Sequence, residues 1–237
     1  MMKVLVIIPA YNEEKTIANV IQDLKKYNYI DILVINDGSK DNTSFVARNM
    51  NVVVLDHASN QGIGASMRTG FKYARTHDYD IVIQVDADGQ HDISRLGEII
   101  AKVRDEGYDM VIGSRFISKT KYNSTPYRWL GIKYCSWLIK LINRTCIKDP
   151  TSGYRAMSKY AIDFCVEHYI NDYPEVPILS QLIQSGYKVC EISVEMKKRQ
   201  GGKSSITFID SIIYFVRITF ICIRNNLAIR IKKWIEK

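Results

Sequence analysis

Residues 80–91 read Asp-Ile-Val-Ile-Gln-Val-Asp-Ala-Asp-Gly-Gln-His, an apolar run followed by two acidic residues. A short apolar run that ends in a turn is typical of a buried strand in a parallel sheet. Two carboxylates, Asp86 and Asp88, directly follow the run. Because ligands of parallel α/β sheets bind beyond the carboxyl ends of the strands, we expect a ligand site at this position.

The same alternation of strand and helix patterns continues on both sides of this stretch. The 237 residues are enough for one such domain. We therefore predict an α/β fold with a doubly wound, mostly parallel sheet flanked by helices. Strands are expected at 3–8, 31–35, 52–55, 80–85 and 109–112, and helices at 14–26, 41–49, 64–76 and 93–104.

Beyond residue 125 the pattern changes to two long amphipathic segments, 127–142 and 206–224. Charges interrupt both segments, so neither predicts a transmembrane helix. Residues 197–237 contain ten Lys or Arg and two acidic residues, and the rest of the chain is neutral. We predict an α/β domain over 1–205 and a basic amphipathic segment over 206–237 that lies on an anionic membrane surface. The alternatives are a helix that covers the sheet and a dimer interface.

The paired carboxylates have a chemical interpretation as well as a structural one. Asp86 and Asp88 could both reach one hard cation, and oxygen ligands of this kind suit Mg²⁺ or Mn²⁺. Such a cation would neutralise the charge that develops on a departing diphosphate. Asp-X-Asp triplets are also common in surface turns, but the position directly after a buried strand favours a metal site.

Three other patterns are assigned less specific roles. His91 and Asp92 are interpreted as the cap of a helix that begins near Ile93. Gly62, Gly64 and Gly70 lack the spacing of a dinucleotide-binding loop, which argues against a dehydrogenase. The five cysteines are odd in number, have mostly apolar neighbours and include no Cys-X-X-Cys pair, so we predict reduced core thiols in a cytosolic compartment.

Seven motifs in a fixed order give the chain a family resemblance that covers residues 3–205. It resembles the family 2 glycosyltransferases of the GT-A fold, and among them the polyprenyl-phosphate sugar transferases such as the dolichol-phosphate mannose synthases. The motifs are Ile8-Pro-Ala-Tyr-Asn-Glu-Glu14, Val34-Ile-Asn-Asp-Gly-Ser39, Asn60-Gln-Gly-Ile-Gly64, Val85-Asp-Ala-Asp-Gly-Gln-His91, Gly113-Ser-Arg-Phe116, Asp149-Pro-Thr-Ser-Gly-Tyr-Arg155 and Arg199-Gln-Gly-Gly-Lys-Ser204.

The resemblance implies a role for each matched residue. The nucleotide sugar would be bound by Pro9, Tyr11, Glu13, Asp37 and Asp86, and the metal by Asp86, Asp88 and Gln90. The acceptor phosphate or the diphosphate would be bound by Arg115, Arg128, Arg199 and Lys203, and the catalytic candidates are Asp88, Asp149 and Arg115.

Several of these roles have an alternative. Asp37 could equally belong to a plain turn between strand and helix. Asp149 is the candidate for a general base where a base is needed, or it could only orient its loop. Arg155 closes the same motif and could pair with a carboxylate or a phosphate.

The implied activity is inverting transfer of a hexose from a nucleotide diphosphate sugar, with Mg²⁺ or Mn²⁺ as cofactor. UDP-glucose is the working donor, and undecaprenyl or a related polyprenyl phosphate is the acceptor. The enzyme would act in cell-surface polysaccharide synthesis, peripherally on the cytoplasmic face of the membrane, where a membrane protein or a second copy of the chain could assist docking. The chain begins with a strand pattern and lacks the features of a signal peptide, in keeping with that location.

Three other functions compete with this one. A family 2 transferase could instead add the sugar to a hydroxyl of a growing or lipid-linked glycan. A nucleotide-sugar or lipid-binding module is the non-enzymatic alternative, and the intact set of Asp37, Asp86 and Asp88 argues against it. Nucleic acid is not an expected partner, because the basic segment lacks a recognisable nucleic-acid motif.

Overall fold

The computed structural model describes residues 2–117, 126–171, 173–196 and 208–235, with the backbone alone at 126–128, 208–214 and 230–235. In these ranges seven strands form one sheet with helices on both faces. The strands are β1 (Val4–Ala10), β2 (Ile30–Asn36), β3 (Val53–Asp56), β4 (Ile81–Gln84), β5 (Met110–Ser114), β6 (Arg155–Ser158) and β7 (Val189–Ser193).

The helices alternate with the strands along most of the chain. A short 3₁₀ helix at Ile93–Arg95 precedes α4. The α-helices are α1 (Ile17–Leu24), α2 (Thr43–Asn49), α3 (Ile63–Thr76), α4 (Leu96–Arg104), α5 (Pro126–Asn143), α6 (Lys159–His168), α7 (Glu175–Gln184) and α8 (Phe208–Ile235).

The sheet has the strand order β3-β2-β1-β4-β6-β5-β7. Every neighbouring pair that lacks β6 is parallel, whereas β6 runs antiparallel to both β4 and β5. After β1 the chain builds β2 and β3 on one side and then crosses to β4 on the other. The strand order therefore reverses between β1 and β4, which is where ligands of open α/β sheets bind.

The sheet is buried on both faces, which explains its continuous apolar runs. Alternate residues of β1 point into opposite cores, Leu5 and Ile7 into one and Val4, Val6 and Ile8 into the other. The core with Leu5 lies against α3 and α5–α8, and the core with Val4 lies against α1 and α4. A layered α/β domain of this kind confirms the predicted fold class.

Pro9 lies inside the central strand β1, although proline cannot donate a ladder hydrogen bond. Its nitrogen faces β4, because the Ile7 carbonyl two residues earlier accepts from Val85 N on that side. The β1–β4 pairing has already ended at Ile7 and Gln84, so no ladder bond is lost. The pairing of the two strands therefore ends at the switch point, where open α/β sheets form their ligand crevice.

The structure confirms the five predicted strands to within about two residues and corrects two other expectations. Helix α8 extends to Ile235, so the helix continues beyond the apolar pattern of 206–224 through most of the basic segment 206–237. The sequence analysis missed α6, α7, β6 and β7. Of the five cysteines, Cys135, Cys165 and Cys222 are buried, but Cys146 is exposed because it lies in the loop after α5 rather than in the core.

Candidate functional site

The described site candidates gather at one edge of the sheet. Tyr11 and Glu13 of the first motif follow β1, Asp37 follows β2, the Asp-Ala-Asp triplet follows β4 and Arg115 follows β5. Because β6 runs the opposite way, the loop from Asp149 that leads into it reaches the same edge. The topology therefore brings together motifs that are more than 100 residues apart in sequence.

The loops after β1 and β2 are joined by hydrogen bonds. Asn12 N donates to Ser39 Oγ at 3.0 Å, Lys40 N donates to Asn12 Oδ1 at 2.9 Å, and Glu13 N donates to Thr43 Oγ1 at 2.8 Å. Asn12 adopts a φ of 55°, which asparagine tolerates better than most residues. These bonds fix one wall of the crevice, and they leave Tyr11 41% exposed at its rim.

Asp37 is buried and holds the loop that leads into α3. Its Oδ1 accepts from Gln61 N at 3.0 Å and lies 2.7 Å from His57 Nδ1, while Oδ2 accepts from Gly62 N at 2.8 Å. A carboxylate that accepts from backbone amides in this way is a loop anchor. Its contact with a nucleotide stays a prediction.

Asp86 and Asp88 lie in a tight turn at the end of β4. Gly89 has a φ of +72°, a conformation that favours glycine, and Gln90 N donates to Asp88 Oδ1 at 3.0 Å. The Asp86 side chain is 34% exposed and receives a long contact of 3.3 Å from Gln84 Nε2. Gln84 is itself buried, and its Oε1 has no hydrogen-bond partner.

The structure confirms the capping role of Asp92 and corrects that of His91. Asp92 Oδ1 accepts from Ser94 N at the start of the 3₁₀ helix. The buried His91 ring instead turns back to Asp86, with its Nδ1 3.1 Å from Asp86 N and its Nε2 3.4 Å from Asp86 Oδ2. It also stacks on Tyr154 with ring centroids 5.0 Å apart. His91 therefore belongs to the site.

Arg115 and Asp149 form a buried ion pair whose side chains are 3% and 0% exposed. Arg115 Nε and Nη2 each donate to one carboxylate oxygen at 2.6 Å, which is the strong bidentate geometry. Arg115 N and Thr151 Oγ1 are two further donors to the same carboxylate. Four donors match the roughly four acceptor positions of a carboxylate, so Asp149 has none left for a substrate.

Arg155 braces the loop from within, with its guanidinium bonded to backbone carbonyls rather than to a carboxylate. It is buried, and its guanidinium donates to the backbone carbonyls of Ser152, Pro150 and Glu175. The braced loop carries Gly153 to the acidic turn after β4. A Cβ added at Gly153 would lie 3.0 Å from Gln84 Nε2 and 3.1 Å from both carboxylate oxygens of Asp86, so a larger residue would push these two side chains aside.

Two acidic residues of the site escaped the sequence analysis. Glu191 on β7 accepts from Lys148 N and Asp149 N, both at 2.8 Å, and so fixes the start of the loop. Burial raises the pKa of Glu175 at the start of α7, the nearby charge of Arg155 opposes that shift, and the charge of Asp86 adds to it. Both residues lie in elements that were not predicted, and no matched motif contains them.

Three predicted phosphate ligands cannot be placed. Arg199 and Lys203 lie outside the described residues, as does the motif that contains them. Arg128 lies in the first turn of α5, where the backbone alone is described. The site as described therefore consists of the acidic turn after β4, the loop from Asp149, and the hydrogen-bonded loops after β1 and β2, which we call the interlocked loops.

Helices α5 and α8 pack against each other beside the site and both expose large apolar side chains. Tyr134 of α5 contacts the ring of Phe215 at 5.3 Å and lies 2.5 Å from Thr219 Oγ1. On the other faces of the pair, eight side chains are between 47% and 63% exposed on α5 and between 47% and 67% exposed on α8. We call them the α5–α8 apolar surface: Trp129, Leu130, Trp137, Leu141, Val216, Phe220, Ile223 and Leu227.

A soluble domain rarely exposes so many large apolar residues on neighbouring helices without a function for them. Among the described helices, none combines the length and the apolarity that crossing a bilayer requires.

Comparison with known proteins gives the site a family context. The family model described as glycosyl transferase family 2 matches residues 5–164. The UDP-N-acetylglucosamine–dolichyl-phosphate N-acetylglucosaminyltransferase of Methanococcus voltae is 33% identical over 67% of this chain and 70% of its own. The polyprenol monophosphomannose synthase of Mycolicibacterium smegmatis is 28% identical over 86% of this chain and 81% of its own.

The solved structures agree on the fold. Glucosyl-3-phosphoglycerate synthase from Mycobacterium tuberculosis, in complex with Mn²⁺, UDP and phosphoglyceric acid, superposes with a TM-score of 0.71. The alignment covers 95% of this chain and 78% of that one at 15% sequence identity. At so low an identity the similarity shows a common fold alone.

Proposed function

The chain belongs to glycosyl transferase family 2 and is a glycosyltransferase, and we propose that it moves a sugar from a nucleoside diphosphate to a polyprenyl phosphate at a membrane surface. One observation carries the choice of acceptor. The site contains an accessible carboxylate with neutral partners, Asp86, and a sealed carboxylate neutralised by arginine, Asp149. Asp86 keeps its negative charge for a cation, whereas Asp149 is not accessible as a general base. An anionic acceptor suits this site because it needs no general base.

The residues present fit a divalent cation. Asp86 is contacted by Gln84 Nε2 and His91, which orient its carboxylate. With a neutral His91 neither partner is positively charged, so the carboxylate keeps its full negative charge for a cation. Asp88 follows two residues later at the same crevice. Within the described ranges no three His, Cys, Asp or Glu side chains cluster as a complete metal site. This agrees with the habit of Mg²⁺ of binding one or two carboxylates and completing its shell with substrate phosphates and water.

We assign Asp86, Asp88 and Gln90 to the cation and the donor diphosphate. When bound, Mg²⁺ or Mn²⁺ supplies positive charge that stabilises the departing nucleoside diphosphate. The interlocked loops that carry Pro9, Tyr11 and Glu13 bind the nucleoside, with the exposed Tyr11 as its apolar contact. Asp37 acts there by holding the segment 57–62 in place.

The acceptor decides whether a general base is needed. A hydroxyl is a poor nucleophile near neutral pH and needs a base to remove its proton. The attacking oxygen of a phosphate is already negatively charged and needs no base. Asp149 is fully buried and saturated with donors, which disfavours it as that base. We assign the Arg115–Asp149 pair to holding the loop against the metal turn, and Arg128, Arg199 and Lys203 to the acceptor phosphate, whose charge they would offset.

The membrane contact is assigned to the α5–α8 apolar surface together with the basic residues of 206–237, as the second unit beside the catalytic domain 1–205. Exposed apolar side chains and a local excess of Lys and Arg are the two features that bind an amphipathic helix to anionic lipid. Because polyprenyl phosphate is itself held in a bilayer, docking would place the crevice near the acceptor. We assign the enzyme a peripheral position on the cytoplasmic face of the membrane.

The donor sugar is the open part of the proposal. The two named relatives transfer N-acetylglucosamine and mannose, as their names state, so the family does not decide between them. UDP-glucose remains the working donor.

The test is transfer from radiolabelled UDP-glucose, UDP-galactose, UDP-N-acetylglucosamine and GDP-mannose to undecaprenyl phosphate in detergent, with Mn²⁺, Mg²⁺ or EDTA. We expect one donor to label the lipid with metal and not with EDTA. Asp88→Asn should lower that rate about a hundredfold or more, because electrostatic groups at the reacting diphosphate typically contribute this much. Arg95→Gln, in an exposed ion pair with Glu98, is the matched control and should behave as wild type.

The same experiment separates the alternative acceptor. If a donor is hydrolysed with metal but no lipid is labelled, a glycan hydroxyl becomes the preferred acceptor. In that case Glu175, whose pKa burial raises, is a better candidate base than Asp149. Glu175→Gln would then abolish transfer to the glycan. Metal-independent labelling would overturn the assignment of Asp86 and Asp88.

A further inference from the structure

The tautomer of His91 can be assigned from its contacts. Asp86 N lies 3.1 Å from His91 Nδ1, and a backbone amide can only donate, so Nδ1 must be the acceptor. The proton of the neutral ring is then on Nε2, which lies 3.4 Å from Asp86 Oδ2. The ring therefore accepts from the backbone of Asp86, and its Nε2–H lies near the carboxylate at a distance longer than a normal hydrogen bond.

The surroundings of His91 hold the ring in that orientation. Its side chain is 2% exposed, and it stacks on the buried Tyr154 with an angle of 19° between the rings. On the other side, the backbone of His91 forms an antiparallel bridge with Met196, directly before the segment 197–207 that carries Arg199 and Lys203. The residue thus joins the acidic turn to the chain at Met196.

We infer that His91 is a positioning residue that fixes both the backbone and the carboxylate of Asp86 for the divalent cation of the donor. This inference rests on the proposed function, because it assumes that Asp86 binds that cation. A neutral imidazole suits the task, since it orients the carboxylate and leaves its negative charge for the metal. Arg115 does the opposite at Asp149 and neutralises the charge. Removal of a side chain that hydrogen-bonds to a metal ligand typically lowers metal affinity or activity about 10- to 100-fold.

Three substitutions separate the contacts of the ring. His91→Phe keeps the stacking on Tyr154 and removes both polar contacts. His91→Asn keeps an acceptor near the Nδ1 position, and His91→Gln keeps a donor near the Nε2 position. His77→Phe is the matched control, because His77 also stacks on a tyrosine, Tyr73, but is exposed and lies beyond the opposite edge of the sheet.

The measurement is Mn²⁺ binding followed by the electron paramagnetic resonance signal of free Mn²⁺, with saturating UDP or GDP, whichever the wild type binds. We expect the Kd for Mn²⁺ to rise at least about tenfold in His91→Phe, and less in His91→Asn than in His91→Gln, because the acceptor holds the backbone of the metal turn. In transfer assays the Mn²⁺ concentration for half-maximal rate should rise in the same order. His77→Phe should match the wild type.

The outcomes distinguish this inference from the proposed function. If Asp86→Asn weakens Mn²⁺ binding and a folded His91→Phe does not, His91 only fills the core and the inference is overturned. If His91→Phe fails to fold, the order of the Asn and Gln variants decides, and equal affinities would count against a positioning role. If Asp86→Asn binds Mn²⁺ as the wild type does, the metal assignment fails, and the inference fails with it.

Discussion

At the residue scale, the site is organised by how two carboxylates are partnered, Asp86 after β4 and Asp149 in the loop that leads into β6. Both lie at the carboxyl edge of the sheet, and neither sequence context shows which of them is paired with an arginine. Arg115 is about 30 residues from either one, so its choice of partner depends on tertiary structure. Sequence reasoning found the three residues but could not tell which carboxylate the arginine would neutralise, and therefore left open a base role for Asp149.

The Arg115–Asp149 pair gives a stability prediction that a base role would not give. Asp149→Asn leaves a buried guanidinium without its counter-charge, and breaking a buried pair from one side typically costs about 3–5 kcal/mol. We expect a loss of that size in the free energy of unfolding, measured by urea denaturation. Glu167→Gln breaks the exposed pair with Arg75 and should cost less than about 1 kcal/mol.

The contrary result is equally clear for this pair. A folded Asp149→Asn of wild-type stability that has lost only activity would show that the carboxylate is not a structural partner of Arg115. The general-base alternative would then be restored, and with it a hydroxyl acceptor. A stability loss with residual transfer to the lipid phosphate would support the assignment made above.

At the element scale, the strands and helices before residue 112 could be predicted because their patterns are local. Buried parallel strands read as apolar runs, and the helices between them place apolar residues on one face. Strand β6 lacks such a run, because Arg155 lies at its start and is buried through bonds to backbone carbonyls. Strand β7 contains Glu191, which faces the loop from Asp149. Polar groups satisfied by distant partners conceal these strands from a pattern search.

Two glycines, each at the second position of a helix, should change protein stability in opposite directions when they are replaced by alanine. A Cβ at Gly64 of α3 would lie 2.2 Å from the carbonyl oxygen of Asn171, whereas a Cβ at Gly97 of α4 would meet only Tyr29 Oη at 4.0 Å. Gly64→Ala should therefore destabilise the protein by about 1–3 kcal/mol through overpacking against backbone. Gly97→Ala should stabilise it by roughly 0.5 kcal/mol, because alanine restricts the unfolded chain.

Thermal or urea unfolding of the two variants under identical conditions provides the measurement. The sign of the difference matters more than its size, since both substitutions add the same methyl group at the same helix position. Equal effects would mean that the contact between α3 and residues 170–171 does not constrain the fold. The contact adjoins the segment that Asp37 anchors at Gly62, so a destabilised Gly64→Ala should also bind nucleotide more weakly.

At the scale of the whole molecule, catalysis and docking use different parts of the chain. The crevice lies at the carboxyl edge of the parallel strands, and the α5–α8 apolar surface lies on the helices beyond them. The sequence predicted an amphipathic C-terminal segment and its charge. It could not show that α8 buries Ile218 and Cys222 in the core while its other side stays exposed, because this division depends on packing against α5 and α7.

The docking assignment leads to a prediction with a closely matched control. Phe220 on α8 is 67% exposed and Phe45 on α2 is 66% exposed, so replacing either by serine removes the same ring from the surface. Burying a phenylalanine ring contributes about 1.5–3 kcal/mol, and roughly 1.4 kcal/mol corresponds to a tenfold change in binding. In flotation with vesicles that contain phosphatidylglycerol, Phe220→Ser should bind at least about tenfold more weakly, and Phe45→Ser should bind as the wild type does. Binding should also weaken as the salt concentration rises, because salt screens the attraction between the basic segment and the anionic lipid.

If Phe220→Ser leaves vesicle binding unchanged but dissociates an oligomer in analytical ultracentrifugation, the surface is an interface between copies of the chain, and the route from the lipid to the crevice must begin elsewhere.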